Sequence, residues 1–165
     1  MLLGVSSCYA QLHNDEPLRA YVNPHFYSSF GYYGFGLDLD FEDQISEKMF
    51  LKTDMGFYFA PTSNHICGTS FAIALKYQFT PYLFALFDMQ PNMRLQGHGH
   101  QVYGDYLTFY IRSGVGVGSN VNFNEYHQVY MQVQVCGDIV LLDEMHSYNG
   151  SVYLMVGIGY RYKFF

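Results

Sequence analysis

Three histidines of the chain stand where a metal ion could be bound. His98 and His100 are separated by a single glycine, and His146 occurs in a later polar stretch that could lie beside them. Imidazole nitrogens bind zinc, copper and nickel, but the usual zinc patterns add cysteine or carboxylate ligands at spacings that this sequence does not offer. We therefore expect no metal and no other cofactor, and the three histidines remain the candidates if a metal is bound.

A carboxylate, an imidazole and a hydroxyl also occur close together, at Glu144, His146 and Ser147. Hydrolases use such a set when the base lies within about 3 Å of the nucleophile. Adjacent residues of a strand point to opposite faces, so His146 and Ser147 would not meet on a strand. We expect no catalytic residue in this stretch.

A further pair of carboxylates, Asp38 and Asp40, are two positions apart and would share one face of a strand. Paired carboxylates can perform acid–base catalysis, but charges that are buried need partners of opposite sign. In other segments, the alternation puts lysines, arginines and one further aspartate on the corresponding polar face. The expected polar network on this face comprises Asp38, Asp40, Lys52, Asp54, Lys76, Arg112, Arg161 and Lys163.

Seven segments are predicted to be strands, and all but one alternate between large apolar residues and small or polar ones, which is typical of strands with one apolar face. They cover residues 26–41, 48–59, 67–79, 82–90, 106–118, 127–137 and 153–165. Residues 82–90 are apolar on both faces as far as Asp88, so their orientation stays open. Single-chain bacterial barrels have even strand numbers. We expect the eighth strand around Leu18–Val22, ended by Pro24, with residues 139–144 as the alternative.

The last segment shows the alternation most clearly. Its apolar face carries Leu154, Val156, Ile158, Tyr160, Tyr162 and Phe164. The opposite face carries Met155, Gly157, Gly159, Arg161 and Lys163. Aromatic residues at the end of such a strand are typical of the boundary between membrane and water.

The composition agrees with a membrane-spanning sheet. Aromatic residues make up 19% of the 165 residues and charged residues only 13%, against about 25% charged residues in soluble domains. A net charge of −6 argues against nucleic acid as a partner. No apolar run reaches the roughly 18 residues that a transmembrane helix requires.

The stretches between the segments form two alternating sets. Residues 42–47, 80–81 and 119–126 make up one set, and the longer residues 60–66, 91–105 and 138–150 make up the other. Short turns of such barrels face the periplasm and long loops face outward. The sequence therefore predicts an all-β fold, an eight-stranded antiparallel up-and-down transmembrane β-barrel with a polar interior and both chain ends on the periplasmic side.

The first residues resemble the end of a secretory signal. Residues 1–10 close on a small-x-small pattern before Gln11, so we expect a residual signal segment at 1–10 and one barrel domain at 11–165, with lipidation of Cys8 as an alternative. The alternation puts Cys67 on the outward face and Cys136 on the inward face. Cysteines on opposite faces cannot be bridged, so we expect no disulfide between them.

The ending Gly-Tyr-Arg-Tyr-Lys-Phe at residues 159–164 is similar to the final strand of the small outer-membrane β-barrel superfamily, represented by the OmpA transmembrane domain, OmpX and PorT-like barrels. The resemblance covers residues 18–165. It implies a location in the bacterial outer membrane, contact with outer-membrane lipid, and recognition by the barrel assembly machinery. The C-terminal assembly signal that it implies consists of Tyr160, Tyr162, Phe164 and Phe165.

Because this fold hosts many activities, it does not by itself assign one. We expect a structural or interaction role: membrane integrity, surface contact through a protein partner at the outer loops, or membership of an envelope complex. Two alternatives are an enzyme that modifies outer-membrane lipid and a soluble lipocalin-like barrel. The soluble barrel would reverse the faces, with aromatic residues inside and charges outside.

Overall fold

The computed structural model describes residues 18–29, 32–61, 66–96, 106–143 and 151–164. These residues form eight strands, each paired antiparallel with the next, and the last pairs with the first to close a barrel. In the described ranges, no helix is long and apolar enough to cross a membrane. The strands are β1 Arg19–Ser29, β2 Tyr32–Ser46, β3 Met49–Ala60, β4 Ile66–Gln78, β5 Leu83–Gln96, β6 Tyr106–Asn122, β7 His127–Asp143 and β8 Val152–Lys163.

The N-terminal strand closes the barrel. Val22 lies opposite Tyr162 of β8, and His25 lies opposite Gly159, so the prediction of an N-terminal eighth strand is confirmed. The prediction that Pro24 ends this strand is wrong, because Pro24 continues it opposite Leu37 of β2. In the pairing of β1 with β8, Pro24 has no partner residue. Proline has no N–H group to donate, so the pairing is interrupted at that position.

The prediction of one strand over residues 26–41 is also wrong. Residues 26–29 belong to β1, and β2 begins at Tyr32. β2 then continues past Phe41 to Ser46, so residues 42–46 are strand rather than part of a turn. Glu42 lies opposite Lys52 of β3 and Arg19 of β1, and this continued alternation keeps its polar side chain inside the barrel.

Three other strands run further than their sequence patterns predicted. β5 continues through Pro91 to Gln96, where Pro91 pairs with Ile111 of β6 and with no residue of β4. β6 continues to Asn122, and residues 138–143 extend β7. The alternative of a separate strand at 139–144 is therefore wrong for its described part. A β-bulge at Leu141 shifts the register between Phe109 and Tyr110, and it explains why Leu141 and Leu142 are both exposed.

The two ends of the barrel differ. Residues 47–48, 79–82 and 123–126 make short connections at one end, which we call the turn end, and the described chain termini lie there too. Two of these turns are held by side chains, because Thr80 Oγ1 accepts hydrogen bonds from the N–H groups of Tyr82 and Leu83, and Asn124 Oδ1 accepts two in the same way. The opposite end, where β1 meets β2 and β5 meets β6, is the loop end.

Side chains divide sharply between the two faces of the sheet. Phe57 is 70% exposed and Val117 61%, whereas Asp40 is fully buried. β5 follows the same rule, with Phe84 and Asp88 inside. This distribution contradicts the soluble lipocalin-like alternative, which places charges outside and aromatic residues inside.

Candidate functional site

Six charged side chains meet inside the barrel toward the turn end, and we call them the turn-end cluster. Three are acids and three are bases, so the cluster is formally neutral. β2, β3, β4 and β8 each contribute at least one member. The members are Asp40, Glu42, Lys52, Asp54, Lys76 and Arg161.

Arg161 connects the two acids of β2. Its Nη1 lies 2.7 Å from Glu42 Oε1, and its Nε lies 3.0 Å from Asp40 Oδ2. Lys76 Nζ approaches Glu42 at 3.3 Å, and Lys52 Nζ lies 2.9 Å from Asp54 and 3.3 Å from Asp40. All six residues are at most 9% exposed. Burial of ions is tolerated when each meets a partner at such distances.

Aromatic rings and amides complete the turn-end cluster. Arg161 lies 4.9 Å from the ring centre of Tyr130 and 5.5 Å from that of Tyr21, while Lys76 lies over Phe84 at 5.1 Å. These are cation–π distances. Asn23 donates hydrogen bonds of 3.1 Å to Asp40 and to the hydroxyl of Tyr130. The interior is thus filled with side chains at this level.

Glycines provide the space for these rings. A Cβ atom on Gly159 would overlap the ring of Tyr130, and one on Gly36 would overlap the ring of His25. Each glycine lies opposite its ring on the neighbouring strand. Small residues on the inward face therefore allow large polar ones to lie across the barrel.

A second group of side chains, the loop-end cluster, is built around one ion pair. Arg112 Nε lies 3.4 Å from Asp138 Oδ1, which also accepts a hydrogen bond of 3.1 Å from the hydroxyl of Tyr153. Arg112 donates to the hydroxyl of Tyr110 at 3.4 Å, and that hydroxyl lies 3.2 Å from the hydroxyl of Tyr58. These five residues come from β3, β6, β7 and β8.

A polar cavity of about 80 Å³ separates the two clusters. Three carboxylates line it, on Asp38, Asp54 and Asp88. Asp38 lies 3.3 Å from His25 Nδ1, and Asp88 accepts hydrogen bonds from the amides of Gln134 and Gln90. A cavity of this size has room for a few water molecules and not for a large substrate.

Comparison with known proteins adds the fold family to this geometry. No family model matches the chain, and no curated protein matches its sequence. Among solved structures, Neisserial surface protein A shares 15% identity with a TM-score of 0.59, and the match covers 89% of this chain and 96% of that one. The chain has the fold of the small outer-membrane β-barrels.

Two further structures agree with this fold. The N-terminal β-barrel domain of Pseudomonas aeruginosa OprF has a TM-score of 0.57 at 14% identity, and the match covers 88% of this chain and 97% of that domain. A major outer membrane protein from Thermus thermophilus has a TM-score of 0.58 at 13% identity, covering 90% of this chain and 100% of that one. At such identities the likeness is one of fold.

In this outer-membrane barrel fold, seven of the eight network candidates have a buried or largely buried side chain inside the barrel. Lys163 is the eighth, and it lies half-buried at the end of β8, where its backbone N–H bonds to Tyr126 of the last turn. The structure brings six of the candidates close to the cavity or into the turn-end cluster, and it places Arg112 in the loop-end cluster. The seven are Asp38, Asp40, Lys52, Asp54, Lys76, Arg112 and Arg161.

Three interior acids are absent from the predicted network: Glu42, Asp88 and Asp138. Glu42 and Asp138 continue alternations that the sequence shows, since Glu42 follows Asp38 and Asp40 in phase and Asp138 follows Gln134 and Cys136. Asp88 lies in a segment that is apolar on both faces, so its inward orientation had no such signal. Polar residues at a strand's end read as a turn in a sequence, because a polar loop and a polar barrel interior have the same composition. Extending β2 and β7 by their phase would have found Glu42 and Asp138.

His98, His100, His146, Glu144, Ser147 and Phe165 lie outside the described residues, as does the segment 1–10. Within the described ranges, no three histidine, cysteine, aspartate or glutamate side chains come close enough to hold a metal ion. Cys67 is exposed on the outer face and Cys136 is buried inside, as the alternation predicts.

The described residues of the expected C-terminal assembly signal form an aromatic row on the outer surface. Tyr160, Tyr162 and Phe164 are 37–43% exposed. His127 of the neighbouring strand β7 lies against the rings of Tyr160 and Tyr162, at centroid distances of 5.8 and 5.3 Å, and its Nδ1 hydrogen-bonds to the hydroxyl of Tyr160. The row is thus a continuous aromatic surface at the turn end.

Proposed function

We propose that the chain is an integral outer-membrane protein with a structural or interaction role, closed inside by polar side chains. The observation that carries this proposal is the division of the two faces. Large apolar side chains cover the outside of the strands, while the charged residues of the turn-end cluster pair inside. Soluble monomers rarely expose so large a continuous apolar surface, and a closed barrel satisfies its backbone hydrogen bonds without water.

Exposed aromatic residues support the proposed position in a membrane. At the turn end they include Phe79, Tyr82, Phe123, Tyr126, Tyr162 and Phe164. A second set, Phe26, Tyr33, Phe35, Phe57 and Phe59, lies nearer the loop end. Aromatic residues concentrate at the two interfaces of a bilayer. We propose that the turn end faces the periplasm and the loop end faces outward, because short turns are periplasmic in such barrels.

Partners follow from the same surface. Outer-membrane lipid covers the apolar face in this proposal, and the barrel assembly machinery recognises the aromatic C-terminal row through Tyr160, Tyr162, Phe164 and Phe165. We propose that a protein partner is bound at the loop end of the barrel. No nucleic acid, metal or cofactor is part of the proposal, and neither is an enzymatic activity.

Cell fractionation tests the location. The full-length protein should remain with outer membranes after salt and carbonate washes and dissolve only in detergent. Its unheated form should migrate differently from its heated form on a gel, because a closed barrel resists detergent until it is boiled. Recovery in the soluble fraction with a single gel mobility would contradict the proposal.

Two measurements test the role. In planar bilayers, the purified protein should give no sustained conductance steps, since the turn-end cluster fills the interior; porin-sized steps would show an open channel. Expression in a host should leave the acylation of its lipid A unchanged in mass spectra. A new lipid A species would instead favour the alternative of a lipid-modifying enzyme.

A further inference from the structure

The pairing of β1 with β8 has a gap at Pro24. Residues 21–22 and 25–29 of β1 have partners in β8, and the two residues between them have none. Continuing the register through the gap places Tyr160 opposite Pro24. Pro24 is exposed on the outer face, so the gap lies in the wall of the barrel.

The pairing of β4 with β5 has a second gap, at Pro91. Residues 66–70 and 73–78 of β4 have partners in β5, and the two residues between them have none. The register places Phe71 opposite Pro91, which is also exposed on the outer face. Within the described residues, the other pairings of neighbouring strands are continuous apart from two register shifts.

The missing N–H group of proline explains the gaps. Hydrogen bonds of an antiparallel ladder join every second pair of residues, and the N–H of Phe164 donates to the carbonyl of Ala20 at 3.0 Å. Counted in twos from this bond, Tyr160 and Pro24 form a pair that would exchange hydrogen bonds. Because proline has no N–H group, the carbonyl of Tyr160 loses its ladder bond, and lipid offers no donor to replace it. The second gap has the same length and also contains a proline, which indicates the same loss there.

The two gaps lie four strands apart around the barrel. They separate a first half, β1–β4, from a second half, β5–β8. We call the boundary between β8 and β1 the first seam and the boundary between β4 and β5 the second seam. A protein opens locally where the fewest hydrogen bonds hold it, so the seams are the weakest lines of the wall.

Both seams border the polar cavity. The residues on either side of each proline line it, Asn23 and His25 at the first seam and Gln90 and Asn92 at the second. His25 Nδ1 lies 3.4 Å from the carbonyl oxygen of Asn23, and the amide of Asn92 donates a hydrogen bond of 2.7 Å to the carbonyl of Gln90. These two contacts stay within one strand, so they do not hold the seams closed.

Arg161 fastens the first seam from the inside. Its ion pairs with Asp40 and Glu42 join β8 of the second half to β2 of the first half. The other ion pairs of the turn-end cluster stay within the first half, and the ion pair of the loop-end cluster stays within the second. The residue that directly follows Tyr160 therefore restrains the seam at which Tyr160 lacks its bond.

We propose that the barrel wall opens locally at these two seams, that each opening connects the polar cavity with the outer surface, and that Arg161 restrains the first seam. The cavity has a volume of about 80 Å³, so water and other molecules of similar size are what an opening admits. The inference rests on the closed barrel alone and is independent of the proposed role in the membrane.

Amide hydrogen exchange of the folded protein in detergent micelles, followed residue by residue by NMR, tests the seams. The N–H groups that border the gaps belong to Phe26 and Tyr160 at the first seam and to Ile73 and Met93 at the second. They should exchange at least about 10-fold faster than N–H groups in unbroken pairings. The controls are two opposed pairs inside the halves, Leu39 with Met55 and Val115 with Val135. Equal rates at the seams and the controls would overturn the proposal.

Each proline variant serves as the control for the other. Pro24→Val restores an N–H group at the first seam, so exchange at Phe26 and Tyr160 should slow about 5-fold, while the second seam keeps its rate. Pro91→Val should slow only the second seam. Valine suits both positions, because they lie within strands. Unchanged exchange at the repaired seam in both variants would overturn the proposal, and the wild-type comparison decides it where a variant does not fold.

Arg161→Met tests the restraint on the first seam. Exchange at Phe26 and Tyr160 should become at least about 10-fold faster, while Ile73 and Met93 at the second seam should change far less. Lys163→Met, on the same face of β8, should leave both seams at their wild-type rates. Equal acceleration of the two seams in Arg161→Met would overturn the role given to this arginine.

Discussion

The two clusters inside the barrel use different chemistry to fill the same kind of space. In the turn-end cluster, six charged groups share five close ion contacts, and the shortest joins Arg161 to Glu42 at 2.7 Å. In the loop-end cluster, one ion pair at 3.4 Å is surrounded by tyrosine hydroxyls. The first is held by paired full charges and the second mainly by neutral hydrogen bonds.

Because of this difference, a single substitution should cost more stability in the turn-end cluster than in the loop-end cluster. Removal of one partner from a buried ion network leaves its counter-charges unpaired, which is far more costly than the loss of a neutral hydrogen bond. The turn-end cluster is therefore the part that fixes the interior. Substitutions in the loop-end cluster should cost less.

The largest effect is expected for Arg161→Met, which leaves Asp40 and Glu42 without their shared guanidinium. The free energy of unfolding should fall by about 3–5 kcal/mol, measured by urea titration in the presence of lipid vesicles. Lys163→Met, on the same face but half-buried at the strand end, should change it by less than about 0.5 kcal/mol. Similar losses in both variants would mean that the loss of stability in Arg161→Met does not come from breaking the ion network.

A smaller loss is expected for Arg112→Met in the loop-end cluster. Asp138 keeps its hydrogen bond from Tyr153, so the cost should be about 1.5–3 kcal/mol in the same titration. A loss equal to that of Arg161→Met would contradict the claim that the turn-end cluster contributes more stability than the loop-end cluster.

Packing against glycine should have an intermediate to small effect. Gly159→Ala places a methyl group against the ring of Tyr130, and the cost should be about 1–2 kcal/mol. The control is Gly137→Ala, where the nearest atom to an added Cβ is Val152 Cγ2 at 3.9 Å; its stability should stay within about 0.5 kcal/mol of wild type. Equal stability of the two variants would show that the ring has free space to move into.

The smallest effect is expected for Tyr58→Phe. It removes only the 3.2 Å hydroxyl contact with Tyr110, so the unfolding free energy should drop by about 0.5–1.5 kcal/mol. Tyr33→Phe, on the exposed outer face, provides the matched control and should be neutral. A large loss for Tyr58→Phe would mean that the loop-end hydroxyls carry more of the structure than the ion pair.

Much of this fold follows from the period of two alone. The alternation in β8 predicts which of Ile158 and Arg161 faces outward, and the even strand number predicts that the N-terminal segment closes the barrel. Strand ends were less predictable. Glu42 and Asp138 belong to β2 and β7 because the polar interior continues to the barrel's mouth, where a sequence of polar residues looks like a turn.

The pairing of the interior charges could not be read from the sequence. Asp40 contacts Lys52 of the next strand and also Arg161, which is 121 residues away along the chain. Such contacts depend on how far each strand is shifted against its neighbour around the closed barrel, and the alternation says nothing about that shift. The β-bulge at Leu141 changes the register further, and only the pairing of β6 with β7 reveals it.

Spin labels along β7 test the central claim, an apolar outside facing lipid and a polar inside, most directly. In a background of Cys8→Ser, Cys67→Ser and Cys136→Ala, a label is placed in turn at each position from Met131 to Val135 in lipid vesicles. Collision with dissolved oxygen should be high at Met131, Val133 and Val135 and low at Gln132 and Gln134. High oxygen access at the two glutamines and low access at the valines would contradict the account.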